Sequence, residues 1–327
     1  MRRNGLKDIV EKVLSMASDM PIECEIYGER AESFQVEVFG GEIESVDRSR
    51  EAGLGLRVVS EGRVGSAWTC DLTAGGLAAV LAEAGSNARA GDETDSDVLA
   101  HMDGQDEPAA SDRGDTGGMS AGMKIESALA MEAAALASDR RVRSSEGASY
   151  SETEYSICVA GTRGFIRTRR GGYCACSTGA VAASGSEVRS GWSYAQATEP
   201  EALDFQGTGR EAGERSSGLL GGTPLQTGRY TVLFDPLAFT EIVSLLGEVL
   251  SAEMVVKGSS VFGGRLGERV ASGIFTLIDD PFLAGGCFNA PFDDEGVSTG
   301  ARELVSGGIL KGFLHNSYTA GKTGQSR

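Results

Sequence analysis

Residues 279–318 read DDPFLAGGCFNAPFDDEGVSTGARELVSGGILKGFLHNSY and form the most distinctive stretch of the chain. It contains two acidic groups, the turn Asp279-Asp280-Pro281 and the run Asp293-Asp294-Glu295-Gly296. Three adjacent carboxylates before a glycine can bind a cation, orient a peptide amine, or cap a turn by accepting backbone N–H bonds. The residue types alone leave these three roles open.

This stretch and the segment before it resemble the TldD/PmbA family. The segments that carry the resemblance are Gly258–Phe262, Leu266–Ser272, Pro291–Val297 and Gly308–Ala320, and more weakly Gly41–Ser45 and Gly62–Gly65. The likeness covers most of the chain and is strongest from Gly228 onward. It depends on the combination of these segments, since each one alone is short.

The resemblance also indicates where a peptidase motif would lie. Peptidase members of the family carry His-Glu-x-x-x-His shortly before the equivalent of Gly258, with two histidines that bind metal and a glutamate that activates water. The matching positions hold Val243, Ser244 and Glu248. Valine offers no ligand atom, and serine cannot replace glutamate as a general base. The resemblance therefore implies the metal-free PmbA (TldE) branch, with zinc in a partner subunit.

The acidic motif occurs in both the metal-binding and the metal-free branches of the family. This distribution favours an architectural role over metal ligation. We therefore expect the two acidic groups, Asp279, Asp280, Asp293, Asp294, Glu295 and Gly296, to shape a cavity or substrate cleft. We expect no catalytic residue and no metal ligand in this chain.

Composition narrows the range of partners. The 327 residues carry a net charge of −17, with a pI near 4.6, so like-charge repulsion disfavours nucleic acid and anionic membranes. Charged residues from Lys7 to Lys12 interrupt any signal-peptide core, and no apolar run reaches the roughly 18 residues of a membrane span. We expect a soluble, cytoplasmic protein.

Cysteine and histidine, which are common zinc ligands, are few in this sequence. The six cysteines have spacings that match neither a zinc knuckle nor a compact disulfide framework. Cys174 and Cys176 are two apart, but residues at that spacing share a face of any strand, so a structural role is favoured. The only histidines, His101 and His315, are far apart in the sequence. We expect reduced, mostly buried cysteines and no histidine-based site.

Hydrophobic periodicity predicts the N-terminal elements. Leu6, Ile9, Val10, Val13 and Leu14 form the apolar stripe of a first helix. Alternating residues around the Gly40-Gly41 turn predict a hairpin, and a second hairpin turns at Ser60–Arg63. Two helices should follow, the second from Met123 to Ala137 with Ile125, Leu129 and Leu136 on its buried face.

Residues 147–198 read as long antiparallel strands, which we interpret as a second β layer. Four arginines cluster between residues 163 and 170 of this region: Arg163, Arg167, Arg169 and Arg170. Arginine and aromatic groups together can bind single-stranded RNA. In an acidic protein a solvated hairpin is the better interpretation.

The segment Gly221-Gly222-Thr223-Pro224 predicts a linker after a short helix over 209–219. A strand, Tyr230–Phe234, should follow, and then a helix begun by Asp235-Pro236. The buried face of that helix is predicted to consist of Ile242, Leu245, Leu246, Val249 and Leu250.

These elements predict a two-domain α+β protein, with antiparallel sheets and helices packed on them. An N-terminal domain would comprise residues 1–222, and a β-rich, incomplete C-terminal domain would comprise residues 223–327. The resemblance implies truncation, because family members continue beyond the position of Arg327.

The function implied by the resemblance is that of a noncatalytic subunit. It would pair with a TldD-like metallopeptidase and admit extended or unfolded peptides, with the older label "modulator of DNA gyrase" reflecting an indirect effect. Two alternatives stay open: a metal-dependent peptidase in its own right, and a homodimeric peptide-binding scaffold without catalysis.

Overall fold

The computed structural model describes residues 5–101 and 118–325. Helices pack on antiparallel sheets, which confirms the α+β class. The elements in chain order are α1 Gly5–Ser18, β1 Glu23–Phe39, β2 Glu42–Ser60, β3 Arg63–Thr69, α2 Ala74–Ala90, α3 Ala121–Ala137, β4 Val142–Gly161, β5 Phe165–Ser184, β6 Glu187–Ala197, α4 Phe205–Gly218, α5 Pro236–Val249, α6 Ala252–Val256, β7 Leu277–Asp279, β8 Arg302–Ser306, β9 Ile309–Leu310 and α7 Ser317–Thr323. A short 3₁₀ turn, Pro200–Ala202, precedes α4.

A single six-stranded antiparallel sheet, in the order β3-β2-β1-β4-β5-β6, dominates the structure. The prediction of a second β layer is wrong. β1 pairs with β2 on one side and with β4 on the other along most of its length, from Glu25 opposite Gly161 to Val38 opposite Ala148. The later strands therefore extend the first sheet and do not stack on it.

The two predicted hairpins are confirmed, but they share one strand. The turn at Gly40-Gly41 has φ angles of 63° and 79°, which glycine adopts without strain. β2 then runs for 19 residues and forms the second strand of the first hairpin and the first strand of the second.

Successive side chains of each strand point to opposite sides of the sheet, which has one face covered by helices and one open face. Ile26 packs in the core with α1 and α2, and Val36, ten residues later on the same face, packs in the core with α3. Tyr27 and Val159 point to the opposite face. The C-terminal part of the chain contacts this open face.

The predicted face of α1 is confirmed, since Leu6, Val10 and Val13 are buried. The predicted face of α3 is only partly right, since Ile125 and Leu129 are half-buried and pack against a core cluster but Leu136 does not. The residues that α3 buries are Lys124, Ala128, Met131, Glu132 and Ala135. Leu136 is 39% exposed instead.

Ion pairing and hydrogen bonding explain why the buried face of α3 differs from the predicted one. Lys124 Nζ lies 2.5 Å from Glu152 Oε1 on β4, so the buried ammonium is neutralised. Its charge also lies 5.0 Å from the centroid of the Phe34 ring. Apolar periodicity could not identify a helix face on which two of the buried residues are charged.

The C-terminal part differs from its sequence prediction in two places. Residues Tyr230–Phe234 form no strand and are exposed, with Leu233 97% exposed. α5 begins as predicted at Pro236, with Asp235 Oδ1 accepting a hydrogen bond from Leu237 N at 2.9 Å. Of its predicted buried face, only Leu250 at the C-cap is fully buried, and Leu245 is 62% exposed.

Packing explains the exposure of α5, because within the described residues only its C-terminal end contacts a hydrophobic cluster. Leu246 and Leu250 pack there with Leu304 and Leu310 of the three-stranded sheet β7-β8-β9. That sheet is small, so helices contribute more of the regular structure after residue 223 than strands do.

α4 is longer than predicted, since Asp204 Oδ1 accepts a hydrogen bond from Gly207 N at 2.8 Å and caps the helix at an earlier residue. The domain boundary after Gly222 stays a prediction.

None of the described helices is both long enough and apolar enough to cross a membrane.

The carboxylate of Glu132 ties α3 to the first hairpin. Its two oxygens accept hydrogen bonds from Gly40 N and Gly41 N, each at 2.8 Å, and Ser145 Oγ donates to the same group. Glu132 is only 1% exposed, so these bonds lie away from water. The hairpin turn therefore depends on a buried charge on a helix.

We expect Glu132→Gln to destabilise the protein by about 1–3 kcal/mol, because the new amide nitrogen cannot accept from a glycine N–H. The measurement is urea-induced unfolding followed by circular dichroism. Glu126→Gln, on the exposed side of the same helix, is the matched control. Equal midpoints for the two variants would contradict this role for Glu132.

Candidate functional site

The acidic run Asp293–Gly296 forms a tight turn. Phe292 and Ser298 pair across its base, and Gly296 has a φ of 81°. Asp293 Oδ1 accepts hydrogen bonds from Glu295 N at 3.0 Å and from Val297 N at 2.9 Å. This carboxylate therefore caps the backbone of its own turn, which is the third role that the sequence allowed.

Arginines on the open face of the sheet hold this turn. Arg57 on β2 pairs with Glu295 at 3.0 Å, and Arg169 on β5 pairs with Asp294 at 2.8 Å. Arg167, two residues before Arg169, donates to the carbonyl of Gly296. Charge-assisted bonds from two strands thus fix the turn on the sheet.

An apolar contact supports the same junction. Phe292 is 1% exposed and packs on Ile157 and Val159 of β4. The guanidinium of Arg169 lies 5.5 Å from the centroid of the Phe292 ring and donates to the Phe292 carbonyl at 3.2 Å. Burial of a whole phenylalanine side chain contributes roughly 1.5–3 kcal/mol to such an interface.

The arginines were predicted to be solvated, and this is wrong for three of them. Arg167 and Arg169 contact the acidic turn, and Arg169 is only 13% exposed. Arg163, 18% exposed, pairs with Glu23 and Asp97. Their partners are distant in sequence, so local composition could not reveal them.

The other acidic group lies elsewhere. Asp279 is in β7, where its backbone lies opposite that of Arg302 on β8 in the register of the small sheet. Asp280 Oδ1 accepts from Phe282 N at 2.9 Å and shapes its own turn. Among the contacts described for the acidic turn, neither aspartate takes part. The structure therefore does not unite the two acidic groups in one site.

A cleft of about 560 Å³ opens beside the acidic turn, on the open face of the sheet. Its lining includes Glu25, Tyr27, Arg57, Trp68 and Asp294. Trp68 is on the edge strand β3 and is 77% exposed. Burial, together with the charges of nearby carboxylates, raises the pKa of Tyr27, so its phenol is protonated at neutral pH.

The residues of this cleft that the sequence interpretation missed include Glu25, Tyr27, Arg57 and Trp68. A usable signal exists, since Arg57 lies between the buried residues Leu56 and Val58 and must point to the opposite face. What the alternation cannot show is that the acidic turn packs against that face.

The positions of the family's metal motif lie on α5. Val243 is half-buried, whereas Ser244 and Glu248 are exposed. One carboxylate without imidazole partners does not fit the donor set of a catalytic zinc site, which needs three protein ligands. Across residues 5–101 and 118–325, no group of three or more His, Cys, Asp or Glu side chains could hold a metal ion.

Four cysteines are buried, as predicted, and Cys70 is exposed. Burial raises the pKa of Cys174 to about 12 and also raises the pKa of Cys176. Their thiols lie near the Ala197 carbonyl at 3.4 Å and the Thr208 hydroxyl at 3.8 Å. Thiols that resist deprotonation are poor metal ligands, which agrees with a packing role.

Comparison with known proteins gives a consistent result over most of the chain. Three domain models of one family match: PmbA/TldA metallopeptidase domain 1 at residues 24–88, the central domain at 115–220 and the C-terminal domain at 227–327.

Two relatives show the extent of the sequence similarity. Metalloprotease PmbA of Escherichia coli O157:H7 is 27% identical over 99% of this chain and 72% of its own length. A metalloprotease of Methanothermobacter thermautotrophicus is 30% identical over 87% of this chain and 62% of its own length. The chain therefore spans 62–72% of the length of these two relatives.

Solved structures share the fold. A candidate modulator of a DNA gyrase from Thermotoga maritima superposes with a TM-score of 0.88, at 25% identity, over 98% of this chain and 73% of that one. TldE from Thermococcus kodakarensis superposes with a TM-score of 0.84, at 20% identity, over 97% and 72%.

The turn geometry predicts a cost for a side chain at Gly296. Its left-handed φ strains any L-residue, so Gly296→Ala should destabilise the protein by about 1–2 kcal/mol. Gly300→Ala is the matched control, because Gly300 has ordinary backbone angles and open space around it. Thermal unfolding of both variants measures the difference, and an unaltered Tm for Gly296→Ala would argue against the turn as described.

Proposed function

The chain belongs to the PmbA/TldA metallopeptidase family, and on that premise we propose that it is a noncatalytic, PmbA/TldE-type subunit of a TldD/TldE-like metalloprotease complex. The observation that carries the proposal is the set of residues at the motif positions of α5. Val243, Ser244 and Glu248 supply one carboxylate where a peptidase needs two imidazoles and a general base. Zinc and bond cleavage would come from a TldD-like partner.

The contribution of this chain would be to bind extended or unfolded peptides. An extended peptide can satisfy its backbone by adding to a sheet edge, independently of its side chains. The edge strand β3 borders the cleft with Trp68, Arg57 and Asp294, which offers aromatic, cationic and anionic groups beside such an edge. The acidic turn would form a wall of this cleft.

The proposed location of the complex is the cytoplasm. All six cysteines are free, which is the usual state in a reducing compartment.

A second function has one observation in its favour. The relatives from Escherichia coli and Methanothermobacter thermautotrophicus are both named as metalloproteases. A peptidase in its own right would need metal ligands outside the α5 positions. A third possibility, a homodimeric scaffold, would need neither metal nor a metallopeptidase partner.

The test is to measure zinc content and hydrolysis of unfolded casein with the purified chain, with a TldD-type relative that carries His-Glu-x-x-x-His, and with their mixture. We expect the chain alone to hold far less than one zinc and to be inactive. We expect the mixture to cleave casein faster than the TldD-type relative alone. A motif Glu→Gln variant of that relative should abolish cleavage in the mixture.

Other outcomes separate the alternatives. Stoichiometric zinc with hydrolysis by the lone chain would overturn the proposal in favour of an independent peptidase. Peptide binding with no effect on the metallopeptidase relative would overturn it in favour of a scaffold.

A further inference from the structure

A second cavity lies in the C-terminal part, apart from the acidic turn and its cleft. It has a volume of about 410 Å³. Three basic residues, Arg302, Lys311 and His315, line it together with Glu303 and Gln325. Two permanent cations therefore face one carboxylate, in a protein whose net charge is −17.

Two carboxylates lie near these cations, since Glu303 lines the cavity and Asp279 lies opposite Arg302 in the strand register. No hydrogen bond or ion pair is formed by the side chains of Arg302 and Lys311 within residues 5–101 and 118–325. The arginines of the open sheet face differ, since Arg57 and Arg169 each pair with a carboxylate. Two cations in a recess that form no ion pair with these carboxylates can attract an anion, because each raises the local positive potential.

His315 adds a polar group to the same cavity. Its ring is half-buried, and Nδ1 is buried without a hydrogen-bond partner in the described part of the chain. Burial lowers the pKa of this imidazole, and the charge of Arg302 acts in the same direction, while a backbone contact with Thr319 opposes them. A neutral imidazole has one N–H, and because Nδ1 is buried from solvent, only Nε2 could offer it to an anion in the cavity.

The backbone holds the two cations near each other. Arg302 begins β8, and Lys311 follows β9, its pairing partner. Lys311 N donates to the Leu304 carbonyl at 2.8 Å. Leu304 and Leu310 are buried beneath this hairpin, so its base is rigid. The hairpin thus sets the backbone positions of both cations before any ligand arrives.

We propose that Arg302, Lys311 and His315 form an oxyanion-binding site whose ligand is the C-terminal carboxylate of a peptide. A guanidinium can bind both oxygens of a carboxylate, while the ammonium and the imidazole N–H supply further donors. The inference rests on the proposed function for its peptide. Inorganic phosphate offers the same oxyanion chemistry, and the experiment distinguishes the two sources.

The experiment measures fluorescence anisotropy with a short Ala/Ser peptide that carries a dye at its amino end. The full chain is titrated against the free acid and against the C-terminal amide. We expect the acid to bind at least about tenfold more tightly than the amide, because the uncharged amide cannot form a charge-assisted hydrogen bond with the cations. Arg302→Gln and Lys311→Gln should each reduce this preference, and the double variant should abolish it.

Lys257→Gln is the matched control, because Lys257 is an exposed lysine that pairs with Glu253 on a different segment. It should leave the preference for the acid unchanged. Lys311 is exposed, so Lys311→Gln tests the site without disturbing the core. Circular dichroism of each variant checks the fold.

Equal affinity for acid and amide, or a preference that survives in the double variant, would overturn the peptide assignment. Displacement of the acid by millimolar phosphate would support a shared oxyanion site, whereas phosphate binding without any preference for the acid would assign the site to phosphate. Failure to bind any of these anions would overturn the site itself. Because binding is measured on this chain alone, the hydrolysis experiment with the metallopeptidase relative judges the proposed function separately.

Discussion

The charge pairing between the acidic turn and the arginines of the open sheet face is the constraint on which the rest of the structure depends. Arg57 and Arg169 come from strands separated by two others, so one turn bridges a wide part of the sheet. Glu295 also accepts from Ser317 N at 2.9 Å, which links the same turn to α7. The sheet, the turn and the C-terminal helix are therefore joined through a few charged groups.

This junction gives the acidic motif a physical role that needs no metal. Asp293 caps the turn, and Glu295 fixes it to β2. Such a role suits both metal-binding and metal-free members of a family, because it concerns how the parts of the chain pack. The residues that would distinguish a peptidase lie elsewhere, on α5, where Val243 and Ser244 cannot perform the peptidase chemistry.

Sequence patterns predicted local structure well and long-range packing poorly. The hairpin at Gly40-Gly41 and the start of α5 at Pro236 followed from turn and cap chemistry, which acts over a few residues. The buried face of α3 was predicted only in part, since Lys124 and Glu132 are buried by partners that are distant in the sequence. The candidate site was found only in part for the same reason. The acidic run and the arginines of β5 stand out in the sequence, but their contact with each other does not, and neither does Arg57.

The most direct test of this account is a double-mutant cycle between Arg57 and Glu295, with Arg57→Gln, Glu295→Gln and the double variant followed by urea unfolding. We predict a coupling free energy of about 1 kcal/mol, because Glu295 is only 12% exposed. The parallel cycle for Arg169 and Asp294, in which Asp294 is 71% exposed, should give less than about 0.5 kcal/mol. Zero coupling between Arg57 and Glu295 would contradict the claim that this pair holds the acidic turn on the sheet.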